Sequence, residues 1–282
     1  MSSAPLQEVV CCLGQPVAGN PTQYMMEKAF AAAGLDWKYL TCEVPPEKLA
    51  DAVKGLRALG FKGANFTIPH KVAVVPLLDG LSPAAELMGA VNCANRVSEK
   101  LVGENTDGKG FVQSLRQFGD LAGRNVVLLG AGGAARAIAV ELALGGVQRI
   151  AVVNRDAARG QALVDLLRQR TKTAAELTPL NGAYPVPPDA HVFINATSVG
   201  LGDADARVPL AADSLRPELI VADVIFNPPR TWLIRTAADR GCRTLDGLGM
   251  LVNQAVISFR IWTGREPDAG VMRDALEEYL EI

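Results

Sequence analysis

A glycine-rich turn is the part of the sequence that most directly indicates a chemistry. Residues 130–135 (GAGGAA) follow an apolar run at 125–129 and precede an apolar helical pattern at 136–143. The order strand, glycine turn, helix with the spacing G-x-G-x-x-A is typical of a dinucleotide-binding site. The first glycine permits the tight turn, the second lets the backbone approach a pyrophosphate, and the helix N-terminus attracts phosphate. The residues predicted to bind the cofactor here are Gly130, Gly132, Gly133 and Ala134.

The end of the next predicted strand, 149–153, indicates which dinucleotide is bound. NAD sites place an acidic residue here to accept hydrogen bonds from the ribose, whereas this chain has Asn154 and Arg155, with Arg159 one helical turn later. The two arginines can bind a 2′-phosphate by charge-assisted hydrogen bonds, or they are a solvated pair at a helix start. Asp156 either caps that helix or reaches the ribose. The pattern favours NADP, with NAD as the alternative.

Polar residues at the ends of predicted strands form a second candidate site. They are Asn65, Thr67 and Lys71 after one strand, Asn92 at the head of another, and the segment 105–107 (NTD) after a hairpin. Loops at the carboxyl ends of strands are the usual ligand side of an open α/β sheet. Amides, hydroxyls and a Lys–Asp pair suit a small, polyhydroxylated, anionic substrate. Each residue alone also has a structural interpretation, as a turn residue, a helix cap or a surface lysine.

The elements that must position these residues alternate between strands and helices. Such alternation predicts an α/β fold with a largely parallel sheet covered by helices. We predict an N-terminal α/β substrate-binding domain over 1–106 and a Rossmann-like dinucleotide-binding domain over 107–245, with residues 246–282 forming helices that pack back onto the first domain. The predicted strands of the first domain are 8–13, 37–42 and 63–68, its helices are 21–33 and 46–59, and a hairpin joins 91–97 to 101–103.

Composition excludes several classes of protein. The 282 residues include 28 basic and 30 acidic side chains, for a net charge of −2, with no basic tract that would bind nucleic acid. No apolar run approaches the ~20 residues that a membrane span needs, and the N-terminus has no export-signal pattern. Five scattered cysteines and two histidines lack metal-ligand spacing. We therefore expect a cytoplasmic protein with reduced thiols and no metal, either a monomer or a homodimer.

Five ordered segments resemble the shikimate dehydrogenases, including the quinate/shikimate variants. They are 65–71 (NFTIPHK), 89–93 (GAVNC), 103–108 (GENTDG), 195–200 (NATSVG) and 249–255 (GMLVNQA), and they span nearly the whole chain. The resemblance implies NADPH-dependent, reversible reduction of 3-dehydroshikimate to shikimate. It also implies that Lys71 and Asp107 are the catalytic pair. By the same resemblance, Asn65, Thr67, Asn92 and Gln254 bind the ring hydroxyls, and Thr197, Ser198, Gly249 and Met250 lie near the nicotinamide.

The chain departs from the family pattern where the substrate carboxylate is held. The family usually has Ser-x-Ser, and the aligned residues here are Asn20 and Thr22; a tyrosine expected near the same group is replaced by Phe226. An amide and a hydroxyl can still donate to a carboxylate. Two alternatives therefore remain open: a variant that uses NAD or acts on quinate or another cyclic hydroxy acid, and a non-catalytic metabolite sensor. The retained Lys71 and Asp107 favour an enzyme, because a sensor needs no proton transfer.

Overall fold

The computed structural model describes residues 6–282. The chain divides into two compact units: the first comprises the chain up to Thr106 together with Gln254–Ile282, and the second comprises Asp107–Asn253. Each unit contains a sheet covered by helices, and the predicted α/β class is confirmed. The strands are β1 (Glu8–Gly14), β2 (Trp37–Glu43), β3 (Gly63–Phe66), β4 (Gly80–Leu81), β5 (Cys93–Val97), β6 (Lys100–Glu104), β7 (Asn125–Leu129), β8 (Arg149–Asn154), β9 (Ala174–Pro179), β10 (Val192–Asn195), β11 (Ile220–Asp223) and β12 (Arg243–Leu245). The helices are α1 (Thr22–Ala32), α2 (Leu49–Ala58), α3 (His70–Ala73), α4 (Pro83–Met88), α5 (Thr106–Leu115), α6 (Gly133–Leu144), α7 (Ala157–Arg170), α8 (Trp232–Asp239), α9 (Leu248–Thr263) and α10 (Ala269–Leu280).

The sheet of the first unit is mixed, in the order β2-β1-β3-β5-β6-β4. The pairs β1–β2, β1–β3 and β4–β6 are parallel, whereas β5 is antiparallel to both β3 and β6. The expectation of a largely parallel sheet therefore fails at β5. The reason is local: the tight turn after Val97, with Ser98 at φ +56°, reverses the chain into β6 and makes the predicted hairpin part of the sheet.

The C-terminal helices complete the first unit. One face of its sheet packs on α2, whose Leu49, Val53 and Leu56 recur at helical spacing and are buried. The Phe30 ring of α1 stacks on Phe259 of α9 with 5.3 Å between ring centroids, and α1 also contacts α10. In the structure, Gln254–Ile282 belongs to the first unit, whereas the residues from 246 to Asn253 belong to the second.

The second unit has a fully parallel sheet in the order β9-β8-β7-β10-β11-β12. This is the Rossmann strand order, in which the chain reverses its direction of travel between β7 and β10. Leu129, the last residue of β7, is in register with Asn195, the last residue of β10. Ligands bind at the carboxyl ends of the strands at such a switch point. The strands β9 and β12 were absent from the sequence prediction, because both are edge strands whose mixed polar residues give no apolar run.

Candidate active site

The glycine turn lies at the switch point of the second unit and requires glycine for two reasons. Gly130 has φ +114°, and a Cβ added there would be 2.9 Å from the Ala196 carbonyl oxygen. A side chain is therefore excluded by both backbone conformation and space. By contrast, a Cβ at Gly132 or Gly133 would meet no atom within 4 Å. This open space is what a phosphate group close to the backbone needs.

The N-terminus of α6 is prepared for an anion. The helix begins at Gly133, and its N-cap Gly132 has no side chain to bond the first N–H groups. Uncapped N–H groups at a helix N-terminus carry partial positive charge and bind phosphate. The turn and the helix end therefore fit the pyrophosphate of a dinucleotide.

The residues that follow β8 differ in their surroundings: two of them interact at the start of α7, and another lines a cavity. The carboxylate of Asp156 accepts a hydrogen bond from the backbone N–H of Arg159 at 3.1 Å, so Asp156 is the N-cap of α7. The Nε of Arg159 also lies 3.4 Å from Asp156 Oδ2. Arg155, in contrast, lines a cavity together with Asn154. Of the two roles considered for Asp156, the structure shows the helix cap.

That cavity has a volume of about 410 Å³ and lies over the carboxyl ends of β7, β8 and β10. Thr197 and Ser198 also line it, and so does a second arginine, Arg207. Arg159 is not among its lining residues. Sequence reasoning missed Arg207 because it lies in an irregular loop with no motif. The cavity can hold the adenosine end of a dinucleotide, with arginine available for a phosphate.

A buried carboxylate holds the loop that carries Thr197. Asn195 Oδ1 accepts hydrogen bonds from the Thr197 hydroxyl at 2.7 Å and the Thr197 N–H at 3.2 Å, while Asn195 Nδ2 donates to Asp223 Oδ1 at 2.9 Å. Thr231 donates to the other carboxylate oxygen, at 2.8 Å. Burial raises the pKa of Asp223 to about 6 despite these donors.

The raised pKa of Asp223 predicts how stability depends on pH. Its ordinary value is 3.8, so the folded state binds this proton more tightly than the unfolded chain does. The contribution of Asp223 to the free energy of unfolding should therefore fall by about 3 kcal/mol between about pH 4 and pH 6, and stay constant above. Urea unfolding of wild type and Asp223→Asn across this range should show that this pH dependence is absent from the variant.

The matched control for this prediction is Asp213→Asn. The Asp213 side chain is 95% exposed and forms a surface ion pair with Arg240, so its removal should leave the pH dependence of unfolding close to that of wild type. If wild type and Asp223→Asn lose stability in parallel from about pH 4 to pH 6, Asp223 is not the group responsible for the pH dependence.

Gly249 and Met250, predicted near the nicotinamide, lie in the first turn of α9. A Cβ at Gly249 would be 2.8 Å from the Ser114 hydroxyl, and the same hydroxyl accepts a hydrogen bond from Asn253 Nδ2 at 2.8 Å. The glycine is thus required by the close approach of α9 to α5 within the second unit. Met250 is half-buried.

In the first unit, three of the polar residues identified in the sequence form one hydrogen-bonded network. Asn65 Nδ2 donates to the Asn92 carbonyl at 2.9 Å, and Asn92 Nδ2 donates to the Thr106 hydroxyl at 2.9 Å. Asn92 Oδ1 accepts from the Thr106 N–H at 2.6 Å. The residues predicted from β3, β5 and the end of the hairpin are therefore brought together.

Two residues that sequence reasoning missed complete this network. The buried Tyr39 hydroxyl donates to Asn65 Oδ1 at 2.8 Å, and burial raises the pKa of this hydroxyl well above its usual value, so it remains a donor. Ser258 Oγ lies 3.3 Å from Thr106 Oγ1 and donates to the Gln254 carbonyl at 2.9 Å. The network thus extends to the helical turn that carries Gln254, which is itself buried. Both missed residues sit inside apolar elements and resemble core positions in sequence.

Lys71 lies in the short helix α3, directly after β3. Its carbonyl accepts a hydrogen bond from the Val91 N–H at 2.8 Å, which ties the Lys71 backbone to the residue before Asn92. The buried His70 ring beside it contacts the Val44 carbonyl through Nε2 at 2.7 Å. Thr67 is held near β1 because Gly14 leaves space for it: a Cβ at Gly14 would be 2.3 Å from Thr67 Cγ2. Lys71 and Thr67 are both half-buried.

Asn20 and Thr22 lie at the start of α1. Asn20 Oδ1 accepts a hydrogen bond from the Thr22 N–H at 2.9 Å, and Asn20 Nδ2 lies 3.8 Å from the Cys12 sulfur. The Thr22 side chain is buried, and its hydroxyl has no hydrogen-bond partner among residues 6–282. This short motif therefore contains one side-chain amide and one hydroxyl. Asp107 follows Thr106 in the first turn of α5 and belongs to the second unit.

Two further properties bear on the site. Over residues 6–282, no three acidic, histidine or cysteine side chains are grouped in a way that could hold a metal ion. In the same range no helix combines the length and the apolar character needed to span a bilayer.

The parallel sheet, the glycine turn at its switch point and the arginine-lined cavity define the second unit as a dinucleotide-binding unit of the Rossmann type. Comparison with models of protein families shows that three segments of the chain match one family. Residues 12–94 match the shikimate dehydrogenase substrate binding domain, 113–200 match shikimate / quinate 5-dehydrogenase, and 247–277 match the shikimate 5′-dehydrogenase C-terminal domain. The chain belongs to the shikimate dehydrogenase family.

The similar proteins compared here are named either as shikimate dehydrogenases or as a 5-ketofructose reductase. A shikimate dehydrogenase (NADP(+)) of Geobacter metallireducens is 43% identical over 275 residues, which cover 94% of each chain. The solved 5-ketofructose reductase of Gluconobacter sp. strain CHM43 is 48% identical with a TM-score of 0.96, covering 98% of this chain and 99% of that one. The shikimate 5-dehydrogenase of Thermus thermophilus, solved with NADP(H) and shikimate, is 35% identical with a TM-score of 0.84, covering 97% and 100%.

Proposed function

We propose that the chain catalyses the NADP-dependent, reversible reduction of 3-dehydroshikimate to shikimate. The main support is the hydrogen-bonded network of Asn65, Asn92 and Thr106 in the first unit, which lies beside the backbone of Lys71. The curated relative from Geobacter metallireducens is named for this reaction and matches over nearly its whole length.

The first unit is proposed to bind the substrate. Asn65 Nδ2 uses one hydrogen on the Asn92 carbonyl, and its second hydrogen is available for a ring hydroxyl. Asn92, Thr67 and Gln254 are assigned to the other ring hydroxyls, because all lie at or beside the ends of the strands and helix that carry the network. The amides of Asn65 and Asn92 are held by internal hydrogen bonds and Gln254 is buried, so these three side chains lose little freedom when the substrate binds.

Lys71 is proposed to donate a proton to the substrate oxygen, and Asp107 is proposed to orient the Lys71 side chain. NADPH, when bound, would supply a hydride to the carbonyl carbon of the substrate. The oxygen then needs a proton, and the Lys71 ammonium both polarises the carbonyl and donates that proton. In the oxidative direction the neutral Lys71 amine accepts the proton of the alcohol. Asp107 follows directly after the network residue Thr106, so the network also positions the start of the helix that carries this carboxylate.

The second unit is proposed to bind the cofactor. Gly132, Gly133 and Ala134 fit the pyrophosphate at the N-terminus of α6, and Gly130 forms the turn before it. Arg155 and Asn154 fit the 2′-phosphorylated ribose. Because Asp156 is used as a helix cap, it does not serve as the acidic ribose ligand of an NAD site, which supports NADP. Thr197, Ser198, Gly249 and Met250 are assigned to the nicotinamide side. We also propose a cytoplasmic enzyme, in keeping with five cysteines that form no disulfide among residues 6–282.

A second candidate function is the reduction of a neutral keto sugar such as 5-ketofructose. Two observations favour it. The Gluconobacter 5-ketofructose reductase is more similar to this chain than the shikimate dehydrogenases compared above. In addition, the residues that should hold the carboxylate differ from the family pattern: an amide at Asn20 replaces a hydroxyl, and Phe226 lacks the tyrosine hydroxyl. The amide still donates hydrogen bonds, but the phenylalanine removes one donor, and this loss favours a substrate without a carboxylate.

The two candidates are separated by one set of assays. Purified enzyme with NADPH is offered 3-dehydroshikimate and 5-ketofructose, and with NADP⁺ or NAD it is offered shikimate and quinate. The proposed function predicts the highest kcat/KM with 3-dehydroshikimate and NADPH. A higher kcat/KM with 5-ketofructose would replace it by the second candidate. Turnover of quinate with NAD would indicate the quinate variant, and binding without any turnover would indicate a sensor.

Thr22 gives a prediction on substrate binding. Valine has the same shape as threonine but no hydroxyl. In Thr22→Val, the substrate group that would bond to this buried hydroxyl is therefore left without a partner. Thr22→Val should weaken substrate binding by about 1–3 kcal/mol, seen as a higher KM with little change in kcat. Thr22→Ser, which keeps the hydroxyl, is the control and should stay close to wild type. An unchanged KM in Thr22→Val would mean that the substrate is held elsewhere.

A further inference from the structure

The cavity of the second unit contains an arginine that the family motifs do not account for. Arg207 lies between β10 and β11 and lines the cavity together with Asn154 and Arg155. Arg159, the residue that sequence spacing pairs with Arg155, does not line it. Its side chain is 76% exposed and its Nε lies 3.4 Å from Asp156 Oδ2. Its charge is therefore already partly compensated at the surface.

Arg207 and Arg155 have no such compensation. Neither has an acidic ion-pair partner among residues 6–282. Both residues are exposed, and an anion that binds both guanidinium groups would offset their like charges. Guanidinium groups bind phosphate oxygens through paired N–H donors, and a 2′-phosphate carries two negative charges at neutral pH or close to it. The cavity thus has the charge and the donors for a phosphate.

The position of Arg207 is also set by the structure around it. Its guanidinium lies over the Trp232 ring, 5.8 Å from the centroid. Trp232 is the first residue of α8 and is held by its N–H, which donates to the Ala204 carbonyl at 2.6 Å. The neighbouring Val208 is buried in the core of the unit. A stacked guanidinium on an anchored loop loses little freedom when it binds a ligand.

We propose that Arg207 is the second arginine of the 2′-phosphate site, so that Arg155 and Arg207, rather than Arg155 and Arg159, determine the preference for NADP. The inference rests on the proposed use of NADP. It concerns cofactor specificity and leaves the reaction on the substrate unchanged.

The test measures binding of two cofactor fragments by titration calorimetry, without turnover. The fragments are 2′,5′-ADP, which carries the 2′-phosphate, and 5′-AMP, which lacks only that group. Arg207→Gln should weaken binding of 2′,5′-ADP about 10- to 100-fold, as expected for the loss of charge-assisted hydrogen bonds, and leave 5′-AMP nearly unchanged. Retained 5′-AMP binding also shows that the variant is folded. Arg159→Gln is the matched control and should leave both affinities close to wild type.

Three outcomes would overturn the inference. If Arg159→Gln weakens 2′,5′-ADP and Arg207→Gln does not, the second arginine is Arg159. If Arg207→Gln weakens both fragments equally, Arg207 contacts the adenine or the 5′-phosphate instead. If the wild-type protein binds both fragments equally, NADP preference itself fails, and this result is distinct because it appears without any substitution. Loss confined to 2′,5′-ADP in Arg207→Gln supports the inference.

Discussion

Lys71→Ala should lower kcat about 10²–10⁴-fold, the usual worth of a general acid–base group, while shikimate and NADPH still bind. The physical reason is that the alkoxide formed by hydride transfer has no other proton donor assigned to it. Steady-state kinetics and direct binding measurements together separate this result from a defect in substrate affinity. Lys71→Arg should also be impaired, because a guanidinium keeps the charge but does not release its proton near neutral pH.

The control for this prediction is Lys54→Ala, in which an exposed lysine of α2 is removed and kinetics close to wild type are expected. Near-normal turnover in Lys71→Ala would rule out the proposed mechanism, whatever the family membership indicates. A large rise in KM with kcat almost unchanged would instead make Lys71 a residue that holds the substrate.

The role of Asp107 is tested with the same kinetic measurements, in the single variant and in combination with Lys71→Ala. If the two residues act as a unit, Asp107→Asn should lower kcat in the same direction, and the double variant should be little worse than Lys71→Ala alone. Additive losses would mean that Asp107 acts independently of Lys71.

Arg155→Ala should raise the KM for NADP⁺ by about 10- to 100-fold, since hydrogen bonds to charged groups are worth about 1.5–3 kcal/mol each. The KM for NAD should change little, because NAD lacks the 2′-phosphate. The measurement is the ratio of kcat/KM for the two cofactors in wild type and variant. Low ionic strength should increase the wild-type preference, because salt screens exposed charges.

Arg159→Ala serves as the comparison for Arg155→Ala. The sequence spacing predicts that both arginines contribute, whereas the pairing of Arg159 with Asp156 predicts a small effect for the second variant. If Arg155→Ala retained the wild-type preference for NADP⁺, the 2′-phosphate would be bound by other residues, and the assignment of the cavity would be wrong.

Much of the fold follows from local patterns in the sequence. The apolar strands β7 and β8, the glycine turn between β7 and α6, and the amphipathic helices were all predictable, because each depends on residues close together in the chain. The edge strand β9 was not, because Glu176 and Thr178 interrupt any apolar pattern and the strand forms only by pairing with β8. The hairpin of β5 and β6 was predictable from its turn, whereas the antiparallel pairing of β5 with β3 depends on which strand lies beside it.

The sequence by itself determined the family, the α/β class and the identity of the candidate site residues, because ordered motifs and a glycine turn are properties of the linear chain. Only the tertiary structure decided how those residues are used. It shows Asp156 as a helix cap, joins Tyr39 and Ser258 to the polar network, and adds Arg207 to the cavity of Arg155. Each of these depends on contacts between residues far apart in sequence, and hydrogen bonds and charge pairs across such distances leave no local pattern to read.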